Sequence, residues 1–104
     1  MKKYLIIAAS AVAVSAGANL QAADLEAGAA TYQPCIACHG PTGQGQAIFP
    51  ALTGKDADYL ADKLMRYRAG EQVGENTALM APHATGLSDE DIENVSAYIA
   101  EEFN

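Results

Sequence analysis

Cysteine, basic residues and strand-like segments are all scarce in this chain of 104 residues. The only two cysteines, Cys35 and Cys38, are so close that a disulfide between them would constrain the unfolded chain little. No alternating apolar run marks a β-strand, and no internal repeat indicates a second domain. These absences predict one small domain that needs reinforcement from something other than a disulfide or a sheet, and a bound prosthetic group fits that need.

The longest apolar run lies at the N-terminus. The segment "MKKYLIIAASAVAVSAGANLQAAD" has two lysines, then an apolar run from Leu5 to about Ala18, then a cluster of small residues. This order is typical of a secretory signal peptide, and the run is too short to favour the alternative, an uncleaved membrane anchor. We expect residues 1–23 to be a signal peptide, cleaved between about 18 and 23, and residues 24–104 to be a soluble exported domain without stable membrane insertion.

The exported domain is predicted to be strongly acidic, because Lys2 and Lys3 leave with the signal segment. Four basic residues then face thirteen acidic ones, which gives a formal net charge of −9. Such a surface repels nucleic acid and anionic lipid, and it favours a partner with a basic docking patch. The alternative is that the acidity only keeps the protein soluble.

Three segments predict helices. The first runs from about 24 to 32 and ends before Pro34, and the second runs from about 56 to 69 and stops at Gly70. The third begins at Ser88, where an acidic residue three positions on resembles a capping box. The two connecting segments are rich in glycine and proline and are predicted to be long irregular loops. Such loops are unusual in a small domain unless they pack against an internal ligand.

The stretch "YQPCIACHGPTGQG" carries both cysteines and, immediately after the second, His39. The pattern C-x-x-C-H is the attachment signature of a c-type haem, in which each thiol adds to one vinyl group and the histidine binds the iron. A thioredoxin-like redox pair would need a βαβ context, and a zinc site would need a further ligand beyond His83, the only other histidine. A structural disulfide would leave His39 without a role.

Several further segments resemble class I c-type cytochromes. They are "CIACHG", "GQG", "FPALTG", "YLADKLMRYRAGE" and "LSDEDIENVSAYIAE", in that order. The chain is most similar to small bacterial monohaem cytochromes, such as the cytochrome c4, c5 and c553 domains and the haem subunit of flavocytochrome c. The resemblance implies an all-α, class I cytochrome c fold, with three to four helices around one haem c joined covalently to Cys35 and Cys38.

The second iron ligand is predicted to be a methionine. Met80 lies in a segment expected to be a loop and resembles the family's axial methionine, whereas Met65 lies inside the second helix, where methionine more often fills the core. His83 is the main alternative to Met80, and methionine would give the higher reduction potential. The resemblance also implies that the backbone carbonyl of Pro50 accepts a hydrogen bond from the other ring nitrogen of His39.

Two other features of the resemblance concern packing. Gly28 on the first helix is expected to let the last helix cross at close range beside Tyr98. A further group of apolar and aromatic residues is expected to be either haem pocket wall or ordinary core. They are Tyr32, Phe49, Leu52, Tyr59 and Tyr67.

The implied function is one-electron transfer in the periplasm, with iron held by His39 and Met80, and not an enzymatic reaction. The expected partners are redox proteins. One alternative is the haem subunit of a flavocytochrome c-type sulfide dehydrogenase, in which a flavoprotein subunit does the chemistry. The other is a haem protein that binds a gas or reduces peroxide, which requires an open sixth position on the iron.

Overall fold

The computed structural model describes residues 23–104, so residues 1–22 of the predicted signal peptide lie outside the described residues. The prediction of an all-α fold is confirmed, because the described part of the chain has only one isolated β-bridge, between Gln46 and Phe49. No described helix is both long and apolar enough to cross a membrane. The helices are α1 Leu25–Tyr32, α2 Ile36–His39, α3 Ala57–Arg68, α4 Thr77–Ala84 and α5 Asp89–Glu102.

The three predicted helices begin at side-chain caps. Asp24 accepts a hydrogen bond from Ala27 N at 3.0 Å, and Asp56 accepts one from Tyr59 N at 2.8 Å. At α5, Ser88 Oγ accepts from Asp91 N and Asp91 Oδ2 accepts from Ser88 N, both at 3.0 Å. This reciprocal pair confirms the capping box and satisfies backbone donors that a helix start leaves without partners.

Helices α1 and α5 form the main packing contact of the domain. The Asp24 backbone N–H donates to Asn94 Oδ1 at 2.9 Å and joins the start of α1 to the middle of α5. Further along, the rings of Tyr32, Tyr98 and Phe103 pack with centroids 5.1 to 6.0 Å apart. The main cluster of buried hydrophobic residues is small and consists of Tyr32, Leu60, Val95, Ile99 and Phe103.

Gly28 lies where α1 and α5 approach most closely. A Cβ atom at this position would collide with the backbone carbonyl of Asn94 and would lie 2.8 Å from Tyr98 Cβ. Neither contact is the mobile end of a side chain, so the two helices would have to separate. The prediction that Gly28 permits close crossing is therefore confirmed.

Replacing Gly28 by alanine is expected to destabilise the protein by about 1–3 kcal/mol or more, the usual cost of overpacking. Gly86→Ala is the matched control, since a Cβ at Gly86 meets open space among the described residues and its φ is not positive. Denaturant unfolding of the two variants measures the difference. Equal stabilities would show that α1 and α5 can separate without cost.

The segment around Met80 is a helix, and the prediction of a loop there was wrong. Thr77 Oγ1 accepts hydrogen bonds from Val73 N at 2.9 Å and Gly74 N at 2.8 Å, which fixes the entry into α4. Pro82 lies inside the helix, where it supplies no backbone donor. The segment that follows is tied to α3 by Arg68, which donates to Leu87 O at 3.0 Å.

Candidate functional site

A cavity of about 420 Å³ lies between the turn before α2, the loop before α3, and helices α3, α4 and α5. Its volume falls in the usual range for ligand sites in proteins. The structure brings together at its wall all five residues that the sequence singled out as haem-binding. They are Cys35, Cys38, His39, Pro50 and Met80.

His39 is the last residue of α2, and its side chain is buried. Its Nδ1 atom lies 2.8 Å from the backbone oxygen of Pro50. A carbonyl oxygen can only accept, so Nδ1 must donate its proton and Nε2 keeps a free lone pair. This arrangement is the one a metal-binding histidine requires, because the hydrogen bond fixes both the tautomer and the ring orientation.

The loop that presents the Pro50 carbonyl is held close to α2. Gly45 N donates to His39 O at 2.8 Å, and Leu52 N donates to Gly43 O at 2.7 Å. Gly45 has a φ of +77°, and a Cβ there would lie 2.6 Å from Ala51 N. The glycine-rich composition of this loop is therefore needed for its backbone to fold back tightly beside Pro50.

Tyr32 fastens the C-x-x-C-H turn to the core. Its hydroxyl donates to Gly40 O at 2.6 Å, one residue beyond His39. Burial raises the pKa of Tyr32 to about 12, with smaller contributions from Cys35 and Tyr98, so the hydroxyl remains a donor at neutral pH. Tyr32 therefore belongs both to the hydrophobic core and to the wall of the cavity.

Both cysteines are half-buried free thiols. Burial, with a smaller contribution from the charge of Cys38, raises the pKa of Cys35 to about 11. A thioredoxin-like redox cysteine has a lowered pKa, so this environment disfavours redox exchange. Within residues 23–104 no group of three or more His, Cys, Asp or Glu residues is placed to hold a metal ion, which disfavours a zinc site.

Helix α4 forms another part of the wall and carries both sequence candidates for the second iron ligand. Met80 is half-buried and His83 is exposed, and one turn of helix separates them. Met65 is absent from the lining, and its side chain on α3 is 42% exposed. The expectation that Met65 fills the core was therefore wrong. The structure agrees, however, that Met65 is not part of the cavity.

The walls of the cavity suit a large flat apolar group such as haem. The five aromatic and apolar residues named from the sequence all line it. Three large hydrophobic side chains on its wall, Ile48, Tyr59 and Leu79, are 57%, 47% and 51% exposed. Apolar surface left open around one cavity indicates a ligand that covers it. The donor set and the walls together fit haem.

Sequence reasoning missed two cationic residues of this wall, Lys55 and Lys63. Their ammonium nitrogens lie 5.6 and 5.3 Å from the centroid of the Tyr59 ring. The i, i+4 spacing of Tyr59 and Lys63 was a readable signal, because such residues are neighbours on one helix face. Ile48 and Leu79 were also missed, since Ile48 is an isolated apolar residue in a loop and Leu79 lies in a helix whose segment has no clear apolar stripe.

Fold and cavity define an all-α protein built around one large apolar ligand site, with C-x-x-C-H on its wall. Residues 25–101 match the cytochrome c family. Cytochrome c-554(548) of Halomonas halodenitrificans is 51% identical over 78 residues, covering 74% of this chain and 94% of that protein. Cytochrome c-554(547) of Halothiobacillus neapolitanus is 39% identical over 88 residues, covering 76% and 97%. The chain belongs to the cytochrome c family.

Two further similarities concern larger proteins. The cytochrome c4 structure from Acidithiobacillus ferrooxidans matches with a TM-score of 0.67 at 27% identity, covering 78% of this chain and 51% of that one. The chain thus spans about half of that cytochrome c4. The thiosulfate dehydrogenase electron acceptor of Stutzerimonas stutzeri is 40% identical over 67 residues, covering 64% of this chain and 31% of that protein.

Membership of this family confirms the resemblance to class I c-type cytochromes that the sequence indicated, and the class I fold. It implies haem c as the cofactor and electron transfer as the role, since cytochromes c are electron carriers and not themselves enzymes. The spacing of Cys35 and Cys38 agrees with that cofactor.

Proposed function

We propose that the chain is a periplasmic one-electron carrier with a single haem c, joined to Cys35 and Cys38 and bound by His39 and Met80. The observation that carries the proposal is the buried His39 ring, whose Nδ1 is fixed on Pro50 O while Nε2 stays free at the cavity that Met80 also lines. The haem would supply iron that cycles between Fe(III) and Fe(II).

The residues of the chain would limit the structural change between the two oxidation states. Pro50 holds the His39 ring in one orientation in both oxidation states, so little has to move when an electron arrives. Met80 on α4 would be a second protein ligand of the iron, and methionine would give a higher reduction potential than a second histidine. With Met80 bound, the iron would have no open position for a gas or for peroxide, which argues against those alternative functions.

Export is part of the proposal. The segment 1–23 would direct the chain out of the cytoplasm and be removed, leaving residues 24–104 as the haem domain. The thiols of Cys35 and Cys38 lie half-buried at the cavity wall, where each would form a thioether with one vinyl group of the haem. The edge of the haem near these residues would remain accessible, and a redox partner with a basic patch would dock on the acidic protein beside it.

A second role is that of an electron-accepting subunit of an oxidoreductase. The similarity to a thiosulfate dehydrogenase electron acceptor favours this role, although that relative is about three times as long as the matching segment. In either role the chain itself accepts and passes on single electrons. A sulfide dehydrogenase with a flavoprotein subunit would be one such complex, and stable co-purification with a flavoprotein would identify it.

The purified protein is expected to carry one covalently attached haem per chain, measured by intact mass and by the pyridine haemochrome spectrum. A spectroelectrochemical titration should fit a single one-electron step. Carbon monoxide added to the reduced protein should leave the spectrum unchanged, since His39 and Met80 would both bind the iron. A chain without haem would contradict the proposal. Rapid formation of a carbon monoxide adduct would also contradict it and would favour a gas-binding function.

A further inference from the structure

Lys55 and Lys63 are the cationic side chains of the cavity wall, and neither forms an ion pair within residues 23–104. The two arginines behave differently. Arg66 pairs with Glu71 and Arg68 pairs with Asp89, each at 2.7 Å. In a chain with thirteen acidic residues, the two cations left without a carboxylate partner in the described structure are the two at the cavity.

The two lysines also lie beside the same aromatic ring. Both ammonium groups lie over the ring of Tyr59, at 5.6 and 5.3 Å from its centroid, and that ring is itself 47% exposed at the cavity wall. A cation over a tyrosine ring gains roughly 0.5–1 kcal/mol at an exposed site. Two like charges on one ring repel each other, however, so the arrangement favours an anion that binds between or beside them.

We propose that Lys55 and Lys63 bind the two carboxylate groups of the haem. The inference rests on the proposed function. Haem carries two propionate side chains, and the cavity wall offers two unpaired ammonium groups in an otherwise mostly apolar lining. A carboxylate placed against an apolar wall without a cation is strongly disfavoured.

The position of the lysines along the chain agrees with this assignment. Cys35 and Cys38, which would hold the vinyl groups, belong to the turn and short helix after α1, whereas Lys55 lies just before α3 and Lys63 lies within it. The two pairs of functional groups on the haem would therefore be bound by two different elements of the wall. Tyr59 would lie between the lysines and limit the access of water to the carboxylates.

This arrangement predicts an effect on the iron as well as on binding. Two cations close to the haem offset the charge of its carboxylates and stabilise Fe(II), which has one positive charge fewer than Fe(III). Removal of either lysine charge should therefore shift the equilibrium toward Fe(III). An acidic partner protein that docks on the lysines would not produce this effect in the isolated protein.

The test is the reduction potential of the holoprotein in Lys55→Gln, Lys63→Gln and the double variant, at one pH and one salt concentration. Each single variant is expected to shift the Fe(III)/Fe(II) ratio about three- to tenfold toward Fe(III), and the double variant further. Lys55→Arg and Lys63→Arg keep the charge and should stay near the native value. Arg66→Gln removes the same charge away from the cavity and should shift the ratio less than twofold.

If the lysine variants shift the ratio no more than Arg66→Gln does, the assignment of the lysines is wrong. The proposed function would still stand if the protein contains haem and titrates in a single one-electron step. A change confined to the rate of electron transfer with a partner would also overturn it and would assign the lysines to docking. A native protein that carries no haem would overturn both proposals together.

Discussion

Replacing Met80 by alanine is expected to abolish the weak long-wavelength absorption band that methionine sulfur gives with oxidised haem iron. The reduction potential should fall by on the order of 0.1 V, since loss of the thioether leaves water, His83 or nothing in its place. The reason is the position of Met80 on the wall of the cavity that also contains His39. The measurement is the absorption spectrum of the oxidised holoprotein, followed by a redox titration.

Two variants make the result specific to Met80. Met65→Ala should keep both the band and the potential, because Met65 is 42% exposed on α3 and does not line the cavity. His83→Ala should also keep the band, since in the proposed protein His83 does not bind the iron. If the native protein lacks the band, or if the Met80→Ala variant retains it, Met80 is not an iron ligand. The second ligand would then be His83, or the position would be open.

A chain with Cys35→Ala and Cys38→Ala, produced without haem, is expected to be largely unfolded. The core is too small to stabilise the domain alone, and Tyr32, Leu60, Val95 and Ile99 from it also form part of the cavity wall. Without the haem these walls and the exposed Ile48 and Leu79 would face water. Folded domains are normally stable by only about 5–15 kcal/mol, so the loss of this burial should be enough to unfold most of the chains.

Far-UV circular dichroism against temperature provides the measurement. The native holoprotein should give a single cooperative transition, whereas the double variant should give a weak helical signal that changes gradually. A Cys35→Ala single variant, which in the proposed site would keep one thioether and the His39 ligand, should lie between them. A cooperative transition in the double variant would show that the helices stabilise each other without the cofactor.

The parts of the fold that the sequence predicted are those with local signals. Helices α1, α3 and α5 each have a capping residue and an apolar stripe, and their observed bounds agree with the expected ones within about two residues. The family resemblance added the crossing at Gly28, which needs contacts about 70 residues apart and cannot be derived from local pattern.

Helix α4 was missed because its sequence, "TALMAPHA", argues against a helix. Pro82 interrupts the hydrogen-bond ladder, and the segment has no clear apolar stripe. Its helical state depends instead on the Thr77 hydrogen bonds at its start and on packing beside the cavity. Lys55 and Lys63 were missed for a related reason, since the charge balance of a chain does not reveal which cations lack a carboxylate partner.

The hydrogen bond between Asp24 and Asn94 has a consequence for how the chain assembles. It joins residues 70 positions apart, so the pairing of α1 with α5 must wait until almost the whole domain is available. Contacts of such separation slow folding, because the entropy of closing the loop is lost before the contact forms. A chain that is still being translated therefore has the residues of its first helix but not those of the helix against which it packs. The domain completes its fold only after its last helix, Asp89–Glu102, has followed the rest of the chain.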